Sequence, residues 1–167
     1  TIPTSVTSIE SATFYGCTGL TSITIPTSVT NIGSSAFSGT GLTSLIFNAE
    51  SCADFLYNSS TEYTNYISPF YNLTTLQSVT IGETVKHIPA YFINGCHNVT
   101  SITIPEGVTN IGERAFSGCS GLTLSFFSAS NCCTSLCYFC WFFFCFFFVF
   151  VFFFLIFYFL APTFLFS

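Results

Sequence analysis

Few residues in this chain could do chemistry, and their spacing assigns them none. Cys137-Tyr138-Phe139-Cys140 has the C-x-x-C spacing of zinc ligands and of dithiol redox pairs. No second pair follows at zinc spacing, no histidine is near, and the motif lies inside an apolar run. Cys96-His97 sets two metal-binding residue types side by side. The stronger reading is a cysteine packed at a turn, because Cys17 and Cys119 recur in the same local context. A Ser-His-Asp relay can be composed from Asp54 with His87 or His97, but serine is too abundant here for that to be specific. No G-x-S-x-G, G-x-G-x-x-G or Walker-type loop occurs. The sequence therefore assigns no catalytic, cofactor-binding or metal residues and reads as non-enzymatic.

Charge narrows the partners. Two basic and seven acidic residues give a net charge of −5. Lys86 and Arg114 are the only cations, too few for the clustered phosphate contacts that nucleic acid requires. There is no Met, and no signal-peptide pattern opens the chain, so the sequence reads as a piece of a longer protein. The nine cysteines are an odd number and cannot all pair with one another.

Internal repetition dominates the sequence. Ile2-Pro3-Thr4-Ser5-Val6-Thr7-Ser8-Ile9 returns as Ile25-Pro26-Thr27-Ser28-Val29-Thr30-Asn31-Ile32, a step of 23 residues. Ile81-Gly82-Glu83-Thr84-Val85-Lys86-His87-Ile88 and Ile104-Pro105-Glu106-Gly107-Val108-Thr109-Asn110-Ile111 are a second pair at the same step. A fixed period in this range predicts a stacked solenoid. Ser22-Ile23-Thr24-Ile25 and Ser101-Ile102-Thr103-Ile104 alternate as half-buried strands do, and the following proline cannot donate to a ladder. Ile25, Val29, Ile32, Phe37, Leu42 and Leu45 are the expected inward set of one coil. One coil cannot bury that set alone, so stacked neighbours must share the core.

Asn31-Ile32-Gly33-Ser34-Ser35-Ala36-Phe37 and Asn110-Ile111-Gly112-Glu113-Arg114-Ala115-Phe116-Ser117-Gly118-Cys119 resemble the BspA-like leucine-rich repeats. Their pattern runs Leu-Thr-Ser-Ile-x-Ile-Pro-x-x-Val-x-x-Ile-Gly-x-x-Ala-Phe-x-x-Cys. The resemblance covers roughly residues 1–47 and 73–123. Gly39-Thr40-Gly41-Leu42 departs from it, lacking the cysteine and one residue. The resemblance implies a surface-exposed or secreted protein, often an adhesin, with no catalytic residues to carry over.

These features predict a right-handed, β-rich α/β leucine-rich-repeat solenoid of about five coils. Residues 1–47 and 73–124 are regular repeats. Residues 48–72 form an extended-repeat insert of about 11 extra residues, because Phe47 and Ile81 hold one repeat position although their separation exceeds the regular step. Tyr57, Tyr63, Tyr66 and Tyr71 fall in or beside it. They either cover the longer coil's apolar edge or form a contact surface, since tyrosine supplies rigid area at low entropy cost. Ser22, Thr24, Ser44, Ser78, Thr80, Ser101 and Thr103 would stack outward as an uncharged hydroxyl strip, with Ile46 among them. That strip is either a solvated strand face or a binding face for a protein or glycan. Asn58, Asn72 and Asn98 head Asn-x-Ser/Thr sequons, glycan sites if the protein passes through a eukaryotic secretory pathway.

A second extended repeat starts at 125–135. Residues 136–161 follow, uncharged and half of them Phe, with a tail at 162–167. The run reads as a candidate transmembrane helix, which would make this a single-pass membrane protein. No Lys or Arg follows Arg114 to act as a stop-transfer flank, and near-poly-Phe is an unusual span. The competing reading is a frame-shifted, low-complexity tail. The expected function is partner binding in adhesion at a cell surface. The alternatives are a structural coat repeat and a non-functional gene remnant.

Overall fold

The computed structural model describes residues 1–55 and 68–122. Their core is a parallel sheet of four strands: β2 (Ser22–Ile25), β4 (Ser44–Phe47), β5 (Ser78–Ile81) and β7 (Ser101–Thr103), in the order β2-β4-β5-β7. The period-2 pattern does what it predicts. Ile23, Ile25, Leu45, Phe47, Val79, Ile81 and Ile102 are buried, while the hydroxyl residues between them face out.

After each of these strands the chain turns a corner and sends one apolar side chain inward: Val29, Cys52, Val85 and Val108 in successive coils. Short strands then form a second ladder. β1 (Ser8–Ile9) pairs with β3 (Asn31–Ile32), and β6 (His87–Ile88) pairs with β8 (Asn110–Ile111). All six inward residues expected of the second coil are buried.

Two expectations need correcting. The described residues contain no helix, so the fold is a β-solenoid rather than an α/β one. The reason lies in the connecting segments. Ala12, Ser35, Tyr91 and Arg114 have positive φ, and so do Gly16, Gly39, Gly95 and Gly118 four residues later in each coil. A left-handed residue at that spacing interrupts any helical run. The turns also number about four rather than five. Residues 1–21 add no strand to the four-stranded sheet, and the coil expected from 125 onward lies outside the described residues. The candidate membrane segment 136–161 lies outside them too. Among the described residues no helix is long and apolar enough to cross a membrane.

The long coil follows the regular path for most of its length. Ala53 N–H donates to Thr30 O at 2.9 Å, as Thr30 N–H does to Thr7 O at 2.8 Å. Asp54 and Phe55 therefore occupy the positions of Asn31 and Ile32, one regular step further along the chain. From Asp54 to His87 the step is 33, so ten additional residues fall after Phe55. The main sheet gives 34 for this coil because its preceding step, Ile25 to Phe47, is 22. Phe70 then re-enters the core beside Phe37, and Ser68 Oγ donates to Phe92 O at 3.1 Å.

Candidate functional site

Two polar surfaces are built by the stacking. The first is the hydroxyl strip. Strand register sets Ser22, Ser44, Ser78 and Ser101 in one row, and Thr24, Ile46, Thr80 and Thr103 in the next. Neighbouring strands in such a sheet lie about 4.8 Å apart, so each row presents one side chain per rung at that interval. Ser22, Ser78, Thr80, Ser101 and Thr103 are exposed, and Thr24 and Ser44 half-buried. Ile46, 38% exposed, is the apolar break in an otherwise uncharged surface.

The second surface is a row of outward residues along the short-strand face: Ser8 from the incomplete first coil, then Asn31, Asp54, His87 and Asn110, one per coil. Hydrogen bonds run along it. Asn31 Nδ2 donates to Ser8 Oγ at 3.4 Å. His87 Nε2 lies 2.8 Å from Asp54 Oδ1, and His87 Nδ1 lies 2.9 Å from Asn110 Nδ2. A neutral imidazole carrying its proton on Nε2 satisfies both contacts: it donates to the carboxylate and accepts from the amide. Asp54 Oδ1 also accepts the Ala90 N–H at 2.7 Å. Asn31, His87 and Asn110 hold one position of the quoted sequence repeats, and Asp54 was not assigned to it. The missing signal was the regular step through Ala53-Asp54-Phe55, hidden by the assumption that the whole of 48–72 leaves the repeat.

His87 and Asp54 are thus brought together, as a catalytic relay would require. Both ring nitrogens are already engaged, however, so neither is left to take a proton from a hydroxyl. His97 is exposed and lies 3.4 Å from Ser120 Oγ. Its neighbour Cys96 points the other way, fully buried, with its thiol donating to Phe70 O at 3.2 Å. Cys119 repeats this toward Ile93 O at 3.2 Å. Cys17, at the matching position of the first coil, is exposed. Burial pushes the thiols of Cys52 and Cys96 up to about 12 and that of Cys119 to about 11. The Asp54 carboxylate adds to the rise at Cys52. Among the described residues no group of three or more His, Cys, Asp and Glu could hold a metal ion.

Of the insert residues, Phe55 and Phe70 are buried and Tyr71 is half-buried, its ring edge against Gly95. Tyr57, Tyr63, Tyr66 and Asn58 lie outside the described residues. Asn72 is exposed and has a φ of 52°, standing in the left-handed position that Gly16, Gly39, Gly95 and Gly118 hold in other coils. Asn98 Nδ2 donates to Thr74 O, so this sequon amide bridges two coils.

A family model described as the BspA type Leucine rich repeat region matches residues 1–123 and 62–145, in six copies. Among solved structures, the chain is similar to a leucine-rich repeat protein from Bacteroides ovatus. The two share 24% identity with a TM-score of 0.41, over 74% of this chain and 41% of that one. It is also similar to a leucine rich cell surface protein from Faecalibacterium prausnitzii. There the identity is 27% and the TM-score 0.34, over 73% of this chain and 45% of that one. The chain thus spans less than half the length of either. Comparison with curated proteins returned no match.

Proposed function

We propose that this chain, which belongs to the BspA-type leucine-rich-repeat family, is a non-enzymatic scaffold that binds a protein or glycan partner at a cell surface, in adhesion. The observation that carries the reading is the register of the hydroxyl strip. Four strands repeat the same outward Ser and Thr positions, with one apolar exception and no charge. Such a surface offers evenly spaced donors and acceptors to an extended ligand. Many weak contacts then add up along one rigid face. Tyr71, half-buried in the extended coil, and Tyr57, Tyr63 and Tyr66 would add aromatic contact area. Membrane anchoring through 136–161 belongs to the same reading.

A structural coat repeat without a ligand is the second reading. Self-satisfied polar contacts favour it: Thr30 Oγ1, Thr43 Oγ1 and Thr109 Oγ1 each donate to a carbonyl of the preceding coil. Purified mucin and extracellular-matrix proteins, immobilised and titrated with the chain, separate the two. A saturable isotherm supports the adhesin, and no saturable binding to either surface supports the coat element.

A further inference from the structure

The structure assigns Asp54 a role the repeat pattern does not announce: we infer that it is the latch of a single seam, between the extended coil and the coil carrying β6, along which the solenoid opens locally. Elsewhere on this face the coils are joined by backbone rungs. Gly33 N–H donates to Ile9 O at 2.7 Å and Gly112 N–H to Ile88 O at 2.8 Å. The matching residue in the β6 coil is Pro89, which has no N–H to give. Among the described residues no backbone hydrogen bond joins 52–55 to 86–90, whereas the Ala53 N–H to Thr30 O bond joins the extended coil to the coil before it.

The Asp54 side chain spans this gap. One oxygen, Oδ1, accepts both the Ala90 N–H and the His87 Nε2–H. A carboxylate is the acceptor suited to that double duty, since charge-assisted bonds are stronger than neutral ones. His87 is in turn tied to Asn110, so the latch reaches three coils. The main sheet stays continuous across the same boundary through β4 and β5. Releasing Asp54 would therefore open one face of one coil boundary and leave the other paired, as a hinge does. The two halves of the hydroxyl strip meet at that hinge, but the latch stands whether or not the strip binds a ligand.

Residue-resolved amide exchange on the whole chain tests this. In Asp54→Ala, the Ala90 N–H should exchange about tenfold faster, while the Gly112 and Ala53 rungs keep their rates. In Asn31→Ala, whose coil has its backbone rung, the Gly33 N–H should be unchanged. Unchanged exchange at Ala90 in Asp54→Ala, or equal acceleration of all three amides, overturns the assignment. If Asp54→Ala fails to fold, Asp54→Asn and His87→Ala carry the test. The first weakens the acceptor and should speed Ala90. The second leaves the Asp54–Ala90 bond in place and should speed it less. Wild-type rates in both overturn the latch.

Discussion

Phe37 and Phe70 stack with their centroids 4.9 Å apart and their planes 7° from parallel, although the extended coil separates them in sequence. Phe14 and Phe37, one regular step apart, stack at 5.2 Å and 13°. The long coil thus delivers its phenylalanine to the same column that a regular coil does. Phe70 also meets Phe92 edge-on at 5.8 Å, joining the column to the core beneath the next coil. Truncating it removes stacked and edge contacts together and leaves a large cavity. Phe70→Ala should cost about 3–5 kcal/mol in urea unfolding. A loss below about 1 kcal/mol would mean that the ten extra residues, rather than Phe70, close this coil.

Close approach of the coils makes some glycines indispensable for space alone. A Cβ on Gly112 would run into the backbone nitrogen of Ala90, and one on Gly33 into that of Ser11. Backbone cannot swing aside as a flexible side chain can. Gly112→Ala should destabilise by about 1–3 kcal/mol, toward the upper end, measured by thermal or urea unfolding.

Asn72 tests the turn geometry by a different route. It holds a left-handed position filled by glycine in the other coils, and asparagine is among the residues that adopt it readily. Asn72→Gly should be near neutral, whereas Asn72→Val should cost about 1–2 kcal/mol in the same assay. Equal stability in the two variants would contradict the turn.

The buried thiols give the pH dependence. Unfolded cysteine ionises near 9.0, while burial raises Cys52 and Cys96 to about 12 and Cys119 to about 11. Below pH 9 both states hold the proton and stability is unaffected. Above it the unfolded chain releases protons that the folded chain keeps, so stability should fall as pH rises through about 9 to 12. Alkylation at pH 8, followed by peptide mass spectrometry, should label Cys17 at once. Cys52, Cys96 and Cys119 should be labelled only after denaturation.

Much of this fold was legible because stacking turns one local pattern into a whole architecture. Ile23 and Ile25 already alternate with Ser22 and Thr24, and the regular step sets them beside their counterparts. The turns were less legible. Ser35, Tyr91 and Arg114 adopt positive φ with ordinary side chains, because the coil, not the residue, dictates the conformation there. The Asp54–His87 contact was hidden for a geometric reason. The two residues are equivalent only if the extra length is placed after Phe55, and a period read along the main sheet places it elsewhere. The hydroxyl strip could be read position by position, since register alone decides it. What the strip holds was not legible in the sequence, because Ser and Thr suit a solvated strand as well as a binding face.

The central claim is that the strip on β2, β4, β5 and β7 is the contact surface. It is tested most directly by substituting Thr80→Lys and Thr103→Lys together and titrating the variant against immobilised mucin and matrix protein. Both side chains are exposed, so the fold should be kept, as circular dichroism would show. Two like charges would then stand on adjacent rungs of the face. The account predicts loss of the saturable binding shown by the unaltered chain. Saturable binding of undiminished strength by a folded variant would contradict it.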